Sequence, residues 1–116
     1  MKVRLSFILT AVVTIACLTV ISHEAFAQTS CMDQLVALKA ATQNTTFLRD
    51  ASKLRADLLK RLDEAISRLS QGKIVDTEEK VVQFRLKVVE LDAERKIAHT
   101  SATSLEAGAD AVISCL

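Results

Sequence analysis

SQGKIVDTEEK, residues 70–80, decides how this chain folds. Gly72 is the residue type that closes a helix in the left-handed conformation. Asp76, with Glu79 three positions on, reads as a capping box, and Glu78 adds negative charge to the first turn of a new helix. Working outward, the chain has no Pro, and its only other Gly is Gly108. Such sparse punctuation predicts two long helices, about residues 31–71 and 77–114, each about 60 Å long and reversing at Lys73. Ser30, with Asp33 three on, is the expected cap of the first helix.

Cys31 and Cys115 stand 42 residues either side of Lys73, so a chain doubled there brings the two thiols together. The apolar spacing gives the same register. In the second helix Val81, Phe84, Val88, Leu91, Arg95, Ala98, Ala102, Leu105, Ala109 and Val112 form a 3-4 spaced seam. In the first, Gln34, Ala37, Ala41, Asn44, Leu48, Ala51, Arg55, Leu58, Leu62, Ala65 and Leu69 form another. Both have coiled-coil periodicity. Pairing positions whose numbers sum to 146 sets Leu62 against Phe84, Leu58 against Val88 and Leu48 against Ala98, and joins Cys31 to Cys115. In that register Arg55 lies near Glu90, Asp92 and Glu94, and Arg95 near Asp50. The seam is Leu, Phe and Val near the turn but small residues near the cysteines, so a disulfide staples the weaker end.

A second apolar stripe remains: Val82, Leu86, Val89, Ala93 and Ile97 on one helix, and Val36, Phe47, Leu54, Leu59 and Ile66 on the other. A helix apolar on two sides needs two neighbours. The expected architecture is therefore all-α: an antiparallel, coiled-coil-like two-helix hairpin that dimerises into a four-helix bundle. The alternative occupant of the stripe is another protein, with Phe47, Leu54, Val82, Leu86 and Val89 as the contact face. Ile74 and Val75 either tuck under the helix ends or form an apolar tip.

The N-terminus reads as an export signal. Lys2 and Arg4 precede an apolar run over residues 5–22, which contains Cys17, and Ala25-Phe26-Ala27 has the small residues a signal peptidase needs. Cleavage after Ala27 leaves a helical domain over residues 28–116, placed in the periplasm or outside the cell. If the run is retained, the protein is a membrane-tethered coiled coil.

Composition excludes several function classes. Without residues 1–27 there are 13 basic and 13 acidic residues, a balance with no general attraction for nucleic acid or anionic membrane. Phe47 and Phe84 are then the only aromatics, too few to form a stacking platform. Two cysteines in an exported chain imply one disulfide. His99 alone makes no zinc set or nucleophile–base pair, and no phosphate-binding glycine loop occurs, so neither catalytic residues nor a metal, cofactor or small-molecule substrate is expected. Asn44-Thr45-Thr46 matches a glycosylation sequon, but on the expected seam. In outline the hairpin resembles WXG-type secreted proteins and Spy-type periplasmic chaperones. The turn Ser70-Gln71-Gly72-Lys73 lacks Trp-x-Gly, however, and no LTxxQ motif is present, so the likeness is architectural. The reading is a small exported protein-interaction module (assembly subunit, adaptor or inhibitor), with a periplasmic holdase as the alternative.

Overall fold

The structure, a computed structural model, describes residues 31–116; the export segment, the cleavage site at Ala27 and the Ser30 cap lie outside the described residues. Among the described residues the fold is all-helical: α1 over residues 31–43, α2 Ala51–Ser70, α3 Ile74–Ala93 and α4 His99–Cys115. The two long helices expected from sequence are thus each broken, at residues 44–50 and 94–98.

Each break reverses the chain. Lys39 on α1 reaches Asp63 on α2 at 2.6 Å, and Arg85 on α3 lies 2.8 Å from Asp110 on α4, an ion pair by proximity. Those partners would be more than about 30 Å apart along continuous helices at 1.5 Å per residue. α2 packs along α3 and α3 along α4, whereas the backbones of α2 and α4 do not approach closely. The ring closes between α4 and α1 through the Cys31–Cys115 disulfide, with Cα atoms 5.6 Å apart. Leu38 also closes it, packed so tightly over Gly108 that a Cβ there would meet Leu38 Cδ1 at 2.8 Å. One chain therefore forms the four-helix bundle that the sequence reading assigned to two.

Local chemistry accounts for the breaks. α2 ends as expected, with Gly72 at φ 74° and hydrogen bonds from Gly72 N–H to Leu69 O and from Lys73 N–H to Arg68 O. α3 ends in the same Schellman pattern: Arg95 N–H donates to Asp92 O, Lys96 N–H donates to Leu91 O, and Arg95 takes the left-handed position at φ 57°. An arginine thus does what a glycine normally does. At the other break the Thr42 and Thr45 hydroxyls donate to the carbonyls of Leu38 and Ala41, offering the backbone a local alternative to continued helix. Thr45, Thr46 and Phe47 favour extended backbone, and Asp50 sits at φ 48°.

The two broken segments then support each other. Leu48 N–H donates to Lys96 O at 2.9 Å and Ala98 N–H to Thr46 O at 3.1 Å, forming an isolated antiparallel bridge between Phe47 and Ile97. Ile97 is buried with the core, and Phe47 packs against it. Arg55 donates to Thr45 O and lies 5.2 Å from the Phe47 ring centroid. So Arg55 ties its own loop instead of meeting the acids of α3, and Arg95 is exposed instead of lying on a seam near Asp50.

Burial follows the expected seam in Val81, Phe84, Val88, Leu91, Ala102, Leu105, Ala109 and Val112, and in Leu58, Leu62 and Ala65. On α1 it does not. The buried set is Cys31, Leu35, Leu38 and Thr42, continued by Thr45 in the break, one residue out of phase with Gln34, Ala37, Ala41 and Asn44, because α1 is set independently of α2 across the break. Leu48, expected to face Ala98, is 58% exposed. The start of α3 also differs: it begins at Ile74 with Lys73 at its cap, so Asp76 lies inside the first turn and makes no capping hydrogen bond.

The two left-handed caps give opposed predictions. Arg95→Gly removes a side chain from a conformation that costs a non-glycine residue about 1 kcal/mol, and raises the urea midpoint. Gly72→Val meets no neighbouring atom yet lowers the midpoint by at least the same amount, because its cost is backbone strain alone.

Candidate functional site

α3 positions the candidate face. Its inner side buries Thr77, Val81, Phe84, Val88 and Leu91 in the bundle. Two of its three cations are turned sideways onto the neighbouring helices: Lys80 reaches Glu64 of α2 at 3.3 Å and Arg85 pairs with Asp110 of α4, while Lys87 lies 3.5 Å from Glu90 of its own helix. What is left toward solvent has a restricted chemistry. The exposed residues of α3 are Ile74, Val75, Val82, Leu86, Val89 and Ala93, together with Asp76, Glu78, Glu79 and Glu90, and none is basic. Val75, Val82, Leu86, Val89 and Ala93 recur at helical spacing and form one stripe about 27 Å long.

This stripe stands out from the rest of the described surface. Seven large apolar side chains are exposed there, and five of them belong to α3; Val75 at 77% and Leu86 at 59% are the most open of the five. The exposed residues of α4 and α2 include no large apolar side chain. Single exposed apolar residues need no explanation, but a row of them on one helix marks a contact surface.

The five residues assigned to a contact face by sequence separate into two groups. Val82, Leu86 and Val89 are exposed on α3, whereas Phe47 and Leu54 are partly buried and packed against the core. The last two are used up by the chain reversal that the sequence reading did not include. Ile74 and Val75 form the first turn of α3 and continue the exposed stripe toward the Gly72 turn. The signal for an acidic rim was present in Asp76, Glu78 and Glu79, which capping accounted for too readily.

Other features offer less. A shallow cleft of about 220 Å³ between α1 and α4 is lined by Ala41, Asn44, Thr45, Thr100, Ser101, Ser104 and Leu105, with no titratable group. The hydroxyls of Thr45 and Ser104 donate to carbonyls of their own chain segment, and the lining holds no His, Asp, Glu or Lys beside the Thr100 and Ser101 hydroxyls. His99 Nδ1 lies 2.9 Å from Asp92 Oδ2 and tethers the start of α4 to the end of α3. No group of three or more His, Cys, Asp or Glu that could hold a metal ion occurs among the described residues, and none of their helices is long and apolar enough to cross a membrane. In the loop between α3 and α4, the hydrogen bond from Lys96 holds the Glu94 carboxyl below its usual range, and Glu94 in turn raises Lys96. The Glu94 contribution is present above the ordinary Glu range and lost as pH falls through the lowered value; both groups are exposed, so its effect is small.

No protein-family model matches this chain, nor does any curated protein or solved structure.

Proposed function

We propose that this protein is a small exported helical interaction module that grips another protein through the outer face of α3 and performs no catalysis. One observation carries the reading: the large apolar side chains left in solvent concentrate on one helix of a bundle closed covalently at its end. A rigid helix with a solvent-facing apolar row fits helix-in-groove recognition, in which residues at i, i+4 and i+7 act as anchors. Here Val82, Leu86 and Val89 hold that spacing. Export rests on residues 1–27, which also place the protein where a disulfide persists.

Self-association was the sequence-based answer to two apolar stripes per helix. With four helices closed in one chain, only the α3 stripe still asks for a partner, and a second copy becomes one of two occupants. A holdase needs a broad adaptable apolar surface, and a stripe one helix wide supports that reading less well than a specific contact.

The test is the pair L86E/V89E. Both positions are exposed, so helix content by circular dichroism and the urea midpoint should change little, by about 0.5 kcal/mol or less. Proteins recovered with the unaltered protein from the host's envelope extract should disappear from the variant's eluate. Recovery of the same proteins by both would sink the reading.

A further inference from the structure

The chemistry of the α3 face also specifies the occupant. We infer that this face binds a cationic amphipathic helix, an inference that rests on the interaction reading above. All four charged residues exposed on α3 are carboxylates, while Lys80, Arg85 and Lys87 are only partly exposed. Lys80 and Arg85 are committed to Glu64 and Asp110, and Lys87 lies 3.5 Å from Glu90. Asp76, Glu78 and Glu79 make no ion pair among the described residues. Within α3 the unneutralised charge beside the stripe is therefore of one sign, with the exposed cations Lys73 and Arg95 just beyond its ends.

That asymmetry chooses between occupants. Glu79 falls within the stripe itself, on the heptad positions of Val82, Leu86 and Val89, with Glu78 and Glu90 at its edges. A second copy docked on this face would bring carboxylates against carboxylates, because the cations of α3 itself are paired within their own bundle and the exposed Lys73 and Arg95 lie beyond the two ends of the stripe. Like charges across an interface suppress the wrong partner. An anionic lipid surface meets the same repulsion. A helix with Leu-type anchors flanked by Lys or Arg buries its apolar side on Val82, Leu86 and Val89 while its cations meet Asp76, Glu78, Glu79 and Glu90.

The experiment uses the oxidised protein and two fluorescent peptides of about 18 residues, enough to span the stripe at 1.5 Å per residue. They share one Leu face; one carries Lys on its other positions and the second carries Glu. The Lys peptide should bind at least about tenfold more tightly, and its affinity should fall as salt rises. E78K/E79K should reverse the preference while leaving the fold intact, because both side chains are exposed. Equal binding of the two peptides overturns the inference, as does binding to anionic vesicles in preference to the Lys peptide. A dimer by light scattering that L86E/V89E dissolves also overturns it, but leaves α3 as an interaction face. If neither peptide binds, the cationic-partner inference fails, and the envelope-capture experiment decides separately whether the interaction reading fails with it.

Discussion

Cys31→Ser/Cys115→Ser should remove a large part of the protein's folding stability. The bridge closes a segment of 84 residues in sequence separation, nearly all of the described chain. In the chain-entropy model, a loop of that size restricts the unfolded state by about 4.5 kcal/mol, an upper figure because strain and residual structure reduce it. Domains of this size are stable by only about 5–15 kcal/mol in total. The position of the bridge matters as much as its size. α1 contributes just Leu35 and Leu38 as large buried apolar groups, and α4 receives Leu38 at Gly108, which has no side chain. Small residues bury little area each, at about 25 cal/mol per Å². Without the staple, amide exchange should speed up in α1 first, and then at the bridge between Thr46–Leu48 and Lys96–Ala98. Reductant should lower the urea midpoint of the unaltered protein and leave the double variant unchanged. Equal midpoints for oxidised and reduced protein would refute the assignment of the staple as a main stabiliser.

What the sequence disclosed and what it concealed have physical causes. Gly72 announces a left-handed cap because glycine alone adopts it at no steric cost, so the central turn was legible. The seam of α3 was legible because Val81, Phe84, Val88 and Leu91 are large and regularly spaced. The other two reversals carry no Gly or Pro. Arg95 occupies the left-handed cap of α3 and Asp50 that at the start of α2, and neither residue type declares it. The available signal lay in the seam itself. Gln34 and Asn44 are poor core residues, and Arg55 and Arg95 interrupt the two stripes within about one helical turn of each other. Read as seam residues that meet acidic partners across the hairpin, they hid the place where both long helices break. Cys31, Leu35, Leu38, Thr42 and Thr45 keep perfect 4-3 spacing in the other phase, which would have placed α1 correctly. The outer face of α3 was half legible: its apolar row could be read from periodicity, and the register already set Lys80 near Glu64, but Arg85 turns away to Asp110 of α4, a helix that sequence did not place there.

Phe84 and Leu86, two residues apart on α3, should give opposite results when each is replaced by Ala. Phe84 is fully buried and is the largest such side chain of the described core, in the same cluster as Leu62, Val88 and Leu91. Phe84→Ala leaves a cavity that rigid neighbouring helices cannot fill, at a cost of about 3–5 kcal/mol in unfolding free energy. Leu86 is 59% exposed, so Leu86→Ala should shift the urea midpoint by about 0.5 kcal/mol at most. For binding the order inverts. At temperatures and urea concentrations where F84A is still folded, its affinity for the Lys peptide should match that of the unaltered protein, because its outer face is intact. L86A removes a central anchor and should weaken binding by about tenfold, the scale of one truncated hot-spot side chain. A pair of residues in one helix that separate stability from binding in this way distinguishes a surface kept apolar for a partner from one that is merely the back of the core. Loss of binding in folded F84A, or full binding by L86A, would mean that the outer face of α3 is not what the partner touches.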